Sequence, residues 1–562
     1  MIDEFTRRSR IAYFSMEIAL RPEIHTYAGG LGILAGDTVR SCADLELPVV
    51  FVTLVSRMGY LRQEIDAGGR QVEHPDPWEP DRWARRLGAK VAVVIEGRDV
   101  WIQPWLYRHR GSLGYEIPVL LLDTVLDENA PEDRDICASL YGGDDAYRLS
   151  QEIVLGIGGY RLLRSLGFDI ETYHMNEGHS ALLAMELLHG HRRPNGGPAD
   201  HAGFDPEMAR QQCVFTTHTP VEAGHDRFPY DLVMRKLDGT LDIPALKALS
   251  GPDCLNMTRL ALNLSGYVNG VAKRHAEISR RLFPGYRVHA ITNGVHVETW
   301  TCDSFARLYQ DHFPQWRHEP EALMLADGLD DGEVWKAHRQ AKLAFLDRIA
   351  AETGTRLAPD VLTLGFGRRM TGYKRLDLLF SDLDRLRTLA RGQPFQVVVS
   401  GKAHPRDEGG KRIIEAIHRC RDALGGDVPV VFLPNYDMDL ARSLVSGPDV
   451  WLNTPLPPLE ASGTSGMKAA LNGVLNLGVL DGWWIEACID GTTGWAIGDA
   501  DLGTAGDDAE DLYRKLEADV LPLFYGDRPR WIWMMKQSIS KIASQFNSQR
   551  MMRRYASEAY LR

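Results

Sequence analysis

The sequence lacks the features that indicate a secreted, membrane-spanning or zinc-binding protein. Its 562 residues include only seven cysteines, and no two of them have the Cys-x-x-Cys spacing of a zinc or redox site. No apolar run reaches the length of about 18 residues that suggests a membrane span. The start of the chain has no long uncharged segment like that of a signal peptide. We therefore predict a cytoplasmic protein with free cysteines, no metal site and no membrane contact.

An excess of positive charge is also missing. The net charge of −12 at pH 7 argues against a nucleic-acid partner or an anionic membrane surface for the protein as a whole. A local basic pocket for a phosphorylated ligand is compatible with this balance. At 562 residues the chain is too long for one ordinary core, so two large domains are expected.

Short apolar runs alternate with helix-like stretches, of which 147–167 and 411–425 are examples. Continuous apolar strands between helices are typical of buried parallel sheets, so the pattern predicts a doubly wound α/β fold. The strand-like runs are 49–55, 90–96, 119–123, 213–220, 288–295, 361–367, 395–401, 428–434 and 449–455.

The alternation occurs separately in the two halves of the chain. The segment between them, 296–335, is polar and aromatic-rich and has no strand alternation. We predict two Rossmann-like domains that face each other across a cleft, with residues 1–295 as the first and 296–530 as the second. Residues 531–562 should form helices that pack back on the first domain.

Ligands bind beyond the carboxyl ends of strands in open α/β sheets, so the loops there hold the candidate residues. The loop "YAGGLGILAGD" (27–37) has a spacing one residue longer than the dinucleotide fingerprint, which disfavours a nicotinamide site. Its glycines still suit backbone N–H donation to an anion. A tight turn with close helix packing is the alternative.

A cluster of cations follows the run at 361–367. Arg368, Arg369, Lys374 and Arg375 lie in "GFGRRMTGYKRLD" with glycines between them. A solvated charged face is the alternative, but such a cluster at the end of a strand in an acidic protein favours an oxyanion or phosphate site. Another pair, Lys402 and His404, follows the run at 395–401, and there a structural role is equally well supported.

The segment "EASGTSGMKAALNG" (460–473) places Lys468 in the first turn of a predicted helix. The small residues before it would present free backbone amides to a phosphate. The positive end of the helix dipole favours the neutral amine, which is the nucleophile toward an aldehyde. Pyridoxal phosphate carries both groups. The spacing is not that of a nucleotide-binding P-loop, and a solvent-facing lysine is the alternative.

Histidines occur in two further segments after strand-like runs, His174 and His179 in one, His218 and His225 in the other. Neither pair has the helical spacing of a metal site. They are positioned to hydrogen-bond a polar substrate, although a structural role is commoner for a lone histidine.

Taken together, these segments resemble the α-glucan (glycogen, starch, maltodextrin) phosphorylases, and the short prokaryotic branch is the most similar. The resemblance implies a GT-B glycosyltransferase architecture, a homodimer, and pyridoxal 5'-phosphate bound covalently to Lys468. It also implies phosphorolysis of an α-1,4-glucan by inorganic phosphate to glucose 1-phosphate, with retention. The matching segments, in the same chain order, are "AYFSME", "YAGGLGILAGD", "NEGHSA", "THTPVEAGHDRFPYDLV", "ITNGVHVETW", "RRMTGYKR", "SGKAHP", "EASGTSGMKAALNG" and "LDGWWIE".

The resemblance also assigns roles to residues of these motifs. Arg369 and Lys374 would bind the substrate phosphate, and His218 would act with them on the glucosyl unit. The cofactor phosphate would be surrounded by Arg368, Thr464, Ser465 and Gly466, with Gly29 and Gly30 nearby. The sugar would be contacted by Asn293, Glu460, Ser462, Gly463 and Tyr373.

The chain departs from these enzymes in places. It starts almost at the catalytic body, so the N-terminal phosphorylation and nucleotide regulation of the larger enzymes are expected to be absent. The segment "NTPLPPLE" (453–460) replaces a basic one, and Thr371 and Gly372 also differ, which leaves the glucan length open. The rival interpretations are a sugar-nucleotide-dependent glucan synthase-like transferase and a catalytically inactive glucan-binding protein.

Overall fold

Two large β-sheets, each with its own hydrophobic core, organise the chain in the computed structural model. The described residues are 2–190, 204–221, 224–237, 239–498 and 505–561, so Glu222 and Ala223 of the histidine segment lie outside them. Both sheets are rich in parallel strands and alternate with helices, which confirms the predicted α/β fold. No helix within these residues is long and apolar enough to cross a bilayer.

The strands are numbered along the chain. They are β1 (Ile11–Ser15), β2 (Val49–Leu54), β3 (Arg62–Ile65), β4 (Gln71–His74), β5 (Arg85–Arg86), β6 (Val91–Ile95), β7 (Arg98–Arg110), β8 (Glu116–Asp123), β9 (Thr172–Asn176), β10 (Cys213–Thr216), β11 (Arg227–Pro229), β12 (Cys254–Asn256), β13 (Tyr267–Gly270), β14 (Val288–Ala290), β15 (Leu362–Gly367), β16 (Phe395–Ser400), β17 (Val430–Leu433), β18 (Val450–Asn453), β19 (Leu475–Val479) and β20 (Gly494–Ile497).

The α-helices follow the same convention. They are α1 (Ile2–Arg8), α2 (Gly30–Asp44), α3 (Pro131–Arg134), α4 (Asp145–Ile153), α5 (Gly159–Ser165), α6 (Leu182–Gly190), α7 (Pro206–Gln212), α8 (Tyr230–Leu237), α9 (Ile243–Ser250), α10 (Met257–Asn263), α11 (Lys273–Leu282), α12 (Val297–Trp300), α13 (Asp303–His312), α14 (Asp331–Thr353), α15 (Leu383–Gly392), α16 (Glu408–Leu424), α17 (Met438–Leu444), α18 (Ser465–Ala470), α19 (Trp484–Ala487), α20 (Ala505–Lys515), α21 (Leu521–Gly526), α22 (Arg528–Ser538) and α23 (Ser548–Tyr555).

The first sheet has ten strands in the order β14-β13-β10-β9-β1-β2-β8-β7-β5, with β6 paired to β7. Neighbours from β14 to β8 are parallel, whereas β7 is antiparallel to β8, β5 and β6. The prediction of a buried parallel strand at 90–96 is therefore wrong. Glu96 and Gly97 have φ angles of 54° and 74°, and this two-residue turn folds β7 straight back onto β6 as a hairpin.

The second sheet is parallel throughout and has the order β17-β16-β15-β18-β19-β20. Counted from β15, this is the 3-2-1-4-5-6 order of a Rossmann sheet. The order in which strands are added reverses at β15, with β16 and β17 on one side and β18 to β20 on the other. The loops that leave β15 and β18 therefore diverge and open a crevice. The cation cluster leaves β15 and the lysine segment follows β18, which brings both candidate loops to that crevice.

The chain crosses between the two cores at Val295 and returns beside it. The Val295 N–H donates to the Phe546 carbonyl at 3.1 Å, and the Ser548 N–H donates to the Val295 carbonyl at 2.9 Å. Beyond this crossing, α23 packs Met551 and Tyr555 into the first core. The two crossings therefore form one joint, which lies next to Asn293 of the candidate site.

Gly294→Ala tests the tightness of this joint. A Cβ atom at position 294 would lie 2.1 Å from the Asn547 carbonyl oxygen, so the backbone must shift. We expect the free energy of unfolding to fall by about 1–3 kcal/mol, measured by urea denaturation. Gly88→Ala is the matched control, because no atom lies within 4 Å of its added Cβ. Equal stability of the two variants would contradict the described crossing.

Candidate functional site

The cation loop after β15 directs two of its side chains onto one carboxylate from the loop after β18. Arg368 donates from Nη2 to Glu460 Oε2 at 3.3 Å, and Lys374 donates from Nζ to the same oxygen. Glu460 is only 5% exposed. Burial alone would raise the pKa of Glu460, but Lys374 and Arg368 hold it below the usual value. The site therefore contains an ionised carboxylate shared by two cations.

The other two cations of the loop point elsewhere. Arg375 has a φ of 45° and donates to the carbonyls of Thr454 and Pro455 and to Asp508. These contacts hold residues 454 and 455 against the loop, and the role of Arg375 in an oxyanion site stays a prediction. Arg369 is exposed, and its charge opposes the rise in the pKa of Tyr60, which burial brings to about 12.

Tyr373 stays with the cation loop. Its carbonyl accepts from the Leu456 N–H at 2.7 Å, and the Lys374 ammonium lies 4.7 Å from the centroid of its ring. The unusual "NTPLPPLE" segment is thus bound directly to the loop, through Tyr373 on one side and Arg375 on the other.

The Glu460 loop is itself held from behind by Asp481. The Glu460 N–H donates to Asp481 Oδ2 at 2.8 Å, and the Gly482 N–H donates to Oδ1 at 2.9 Å. Burial raises the pKa of Asp481 to about 6. Gly482 has a φ of 55°, and a Cβ there would lie 2.4 Å from the Ser462 carbonyl oxygen. The "LDGWWIE" motif therefore fixes the backbone that presents Glu460.

Lys468 is the fourth residue of α18, as predicted, and is 7% exposed. Its Nζ lies 3.7 Å from the ring centroid of Trp300 and has no hydrogen-bond acceptor among the described residues. Burial lowers the pKa of Lys468 to about 8, with the negative charge of Asp37 opposing this shift. The amine is therefore neutral in a far larger fraction of molecules at neutral pH than a solvent-exposed lysine.

Asp37 and Trp300 form the environment of this amine, and sequence reasoning missed both. The Trp300 Nε1–H donates to both carboxylate oxygens of Asp37, at 2.9 and 3.0 Å. Asp37 belongs to α2 of the first core and Trp300 to α12 after the crossing. The only signal in the sequence was their position inside the motifs at 27–37 and 291–300.

The residues before Lys468 are small, and the backbone conformation of Gly463 and the space around Gly466 disfavour larger side chains. Gly463 has a φ of 81°, and a Cβ on Gly466 would lie 2.3 Å from Asn476 Oδ1. Thr464 precedes α18 without a side-chain capping hydrogen bond, and Ser465 Oγ accepts from Trp451 Nε1 at 3.0 Å. Two buried polar atoms here, Arg368 Nη1 and Ser462 Oγ, have no hydrogen-bond partner within the described parts of the chain.

The glycine loop already holds an anion supplied by the protein. The N–H groups of Ala28 and Gly29 donate to Glu17 Oε2 at 2.6 and 3.0 Å, and the Tyr141 hydroxyl donates to Oε1 at 2.9 Å. Gly30 begins α2, and a Cβ on either glycine would meet no atom within 4 Å. The open face of this loop therefore suits close approach of a ligand.

His218 lies after β10 and is oriented by the last residue of β9 and by the residue that follows it. Its Nε2 is 2.6 Å from Asn176 Oδ1, and its backbone N–H donates to Glu177 Oε2 at 2.8 Å. Burial lowers the pKa of His218 to about 3, so the ring is neutral at physiological pH. Glu177 has a φ of 71°, a strained angle for a side chain with Cβ. The strand-end loops of the first sheet thus fix this imidazole.

Of the remaining predicted residues, one stays a candidate ligand contact and two have structural roles. Asn293 is buried, and its Oδ1 has no partner in the described part of the chain. His174 lies inside β9, where it contacts the hydroxyls of Tyr560 and Thr216, so its prediction as a loop residue is wrong. Lys402 donates to the Leu61 carbonyl at 3.0 Å.

Comparison with known proteins identifies relatives of this chain. The family model described as "Carbohydrate phosphorylase" matches residues 235–494. The chain is 38% identical to a maltodextrin phosphorylase of Thermococcus litoralis, over 98% of this chain and 70% of that one. It is 37% identical to a glycogen phosphorylase of Mycobacterium tuberculosis, over 98% and 70%. A glycogen phosphorylase of Aquifex aeolicus is 35% identical, over 99% of this chain and 87% of its own.

Two buried lysines give a stability test of the site electrostatics. Because the pKa of Lys468 is about 8 in the folded protein and 10.5 for an ordinary lysine, protonation of the buried amine destabilises the fold most strongly below pH 8. Lys468→Met should raise the free energy of unfolding at pH 7 by about 2–3 kcal/mol, and this gain should vanish as the pH rises from 8 to 10.5.

Lys342→Met is the matched control, because that buried lysine is paired with Asp449 at 2.6 Å. Its loss leaves a buried carboxylate uncompensated and should lower the free energy of unfolding by about 3–5 kcal/mol. Urea denaturation of the cofactor-free proteins at pH 7 and pH 10 measures both effects. Destabilisation by Lys468→Met at pH 7 would contradict the described environment of the amine.

Proposed function

The chain belongs to the carbohydrate phosphorylase family, and we propose that it catalyses the reversible phosphorolysis of α-1,4-glucans at the non-reducing end. The product is glucose 1-phosphate, formed with retention. As a glycosyltransferase with two facing Rossmann-like sheets, it has the GT-B architecture of the family.

The charged groups at the switch point of the second sheet give this proposal its main support. Arg368 and Lys374 converge on Glu460 at the switch point of the second sheet, and the amine of Lys468 lies on the next helix. A phosphate dianion needs several charge-assisted donors, which arginine and lysine provide. A cleft for phosphorolysis needs such donors beside a polar sugar site, and Glu460 supplies a sugar-binding carboxylate at the same place.

The residues around Lys468 fit pyridoxal phosphate. The amine is buried without a hydrogen-bond acceptor among the described residues, and the guanidinium Nη1 of Arg368 and the hydroxyl of Ser462 are also unpartnered there. We propose that Lys468 holds the cofactor covalently, with Arg368, Thr464, Ser465 and Gly466 at its phosphate and Gly29 and Gly30 nearby. When bound, this group supplies a phosphate that donates and accepts a proton beside the substrate phosphate.

The reaction exchanges one bond at the anomeric carbon for another. The bond from that carbon to O4 of the next glucose breaks, and a bond to a phosphate oxygen forms. The proton of hydrogen phosphate passes to the departing O4 hydroxyl, so charge and atoms balance. The protein must therefore position the phosphate, hold the glucosyl unit and exclude water that would hydrolyse it.

Arg369 and Lys374 are the proposed ligands of the substrate phosphate. Lys374 is bound to Glu460, so phosphate has to share or take over this donor. Arg369 is exposed at the edge of the cleft and is free to turn toward an anion. Glu460 would then be released to accept hydrogen bonds from sugar hydroxyls, which couples phosphate and glucan binding.

The sugar contacts come from both sheets in this proposal. His218, held neutral by burial, and Asn293 would hydrogen-bond the glucosyl unit from the first sheet. Glu460, Ser462 and Gly463 would contact its hydroxyls from the second, with Tyr373 beside them. Thr292 Oγ1 donates to Glu486 across the cleft at 3.0 Å, which supports a closed arrangement near Asn293.

The proposed domains are residues 1–295 and 296–530, with 531–562 returning to the first. Support comes from the change of core between Ile291 and Val295 and from the packing of Met551 and Tyr555. A sugar-nucleotide-dependent synthase is not favoured, because the relatives are named phosphorylases. A homodimer, a cytoplasmic location and the lack of nucleic-acid or membrane partners stay predictions.

The direct test incubates the purified protein with maltoheptaose and inorganic phosphate and measures glucose 1-phosphate. We expect the product only when phosphate is present, and the reverse reaction should extend maltooligosaccharides with release of phosphate. Chain extension from a sugar nucleotide but not from glucose 1-phosphate would instead support the synthase. No turnover in either assay would leave the inactive glucan-binding protein.

Arg369→Gln tests the proposed phosphate ligand. Because this side chain is exposed, the fold should be intact, while kcat/KM for phosphate should fall by about 30-fold or more through loss of a charge-assisted contact. Arg406→Gln is the matched control, since Arg406 is an exposed arginine of the neighbouring loop. Equal activity of Arg369→Gln and Arg406→Gln would refute the assigned role.

Lys468→Ala tests the proposed cofactor attachment. The protein reconstituted with pyridoxal phosphate should show a bound absorption band that survives gel filtration, and the variant should lose it. Far-ultraviolet circular dichroism checks that the variant is folded. A band of equal intensity in folded Lys468→Ala would show that the cofactor is attached elsewhere.

A further inference from the structure

A second cationic cavity lies at the opposite end of the strands of the second sheet. It has a volume of about 290 Å³ and sits beside the amino ends of β15 and β18, whereas the proposed active site lies beyond their carboxyl ends. It is bounded by α14, the segment before β15, α21 and the start of α22. Its lining residues are Trp335, Arg339, Lys342, Asp360, Phe524 and Arg528.

Arg528 is the unusual residue of this cavity. Its guanidinium carbon lies 3.8 Å from the ring centroid of Trp335 and 4.7 Å from that of Phe524. The side chain has no hydrogen bond or ion pair among the described residues, and its Nη1 is fully buried. A buried donor without an acceptor is costly, so a guanidinium fixed in this way calls for an acceptor.

The position of Arg528 in its helix adds to this argument. It is the first residue of α22, where the helix dipole disfavours a cation. The side chain is partly buried, and this burial lowers its pKa, with Asp449 opposing the shift. Capping is not its role, because Asp527 accepts the Arg530 N–H at 3.0 Å. An anion bound in the cavity would interact favourably with the dipole of α22 and would compensate for the desolvation of the Arg528 guanidinium.

The other charges leave the cavity positive. Lys342 is 1% exposed and uses two of its three N–H donors, toward Asp449 at 2.6 Å and the Val361 carbonyl at 2.7 Å. Arg339 pairs with Asp360 at 2.9 Å, but that carboxylate is 87% exposed and therefore well screened. Three cations thus face two carboxylates, in a protein whose net charge is −12.

We propose that this cavity binds a phosphate group, either inorganic phosphate or the phosphate of a small sugar ester. The planar fork of Arg528 with the point charge of Lys342 suits phosphate oxygens. The volume accommodates a group larger than phosphate alone. This site is separate from the proposed active site and does not depend on the proposed function.

Counting the phosphate sites tests the proposal. Equilibrium dialysis of the holoprotein with radiolabelled inorganic phosphate should give two classes of site, and Arg528→Gln should raise the dissociation constant of one class at least tenfold. Arg369→Gln should affect only the other class, so failure of either proposal is recognised separately. Glucose 6-phosphate as competitor distinguishes the sources: displacement from the Arg528 class indicates a sugar ester, and no displacement indicates free phosphate.

Arg356→Gln is the matched control, because Arg356 is an exposed arginine in the loop after α14. It should retain both classes. Arg339→Gln provides a second variant if Arg528→Gln unfolds, and it should weaken the same class. The proposal is overturned if folded Arg528→Gln or Arg339→Gln binds phosphate with unchanged stoichiometry and affinity, or if Arg356→Gln loses the class equally.

Discussion

A buried carboxylate between two cations connects the loops that build the proposed active site. Glu460, which follows β18, accepts from Arg368 and Lys374, which both follow β15, at the switch point of the second sheet. Removing one member of such a buried group of charges is costly, because it leaves a charge without compensation. The conformations of the cation loop and the lysine segment are therefore mutually dependent, and an entering phosphate has to act on both.

The same interdependence extends across the crossing between the cores. Asp37 of the first core accepts from Trp300, and the Trp300 ring in turn covers the amine of Lys468. On the far side of the cleft, Gln63 of the β3–β4 hairpin exchanges hydrogen bonds with Asn435. The chemistry proposed for the second sheet thus depends on residues that the first sheet positions.

Local sequence patterns predicted those features of the fold that depend on residues close together in the chain. The apolar run before the cations, the small residues before Lys468 and the glycines that open α2 each occur within a few residues, so strand, loop and helix could be placed. Partners distant in sequence could not be inferred: Glu17 at the glycine loop, Asp37 behind Trp300 and Asp508 on Arg375 are brought close only by the tertiary fold. The β6–β7 hairpin was missed because Glu96, the first residue of its turn, was included in the apolar run at 90–96.

In the proposed active site, Glu460 and the substrate phosphate compete for the same cations. The most direct measurement is calorimetric titration of inorganic phosphate into the holoprotein and into Glu460→Gln, in the absence of glucan. The glutamine cannot hold Lys374 and Arg368 as an anion does, so the variant should bind phosphate several-fold more tightly at the active site. Unchanged or weaker phosphate binding by a folded Glu460→Gln variant would contradict this account.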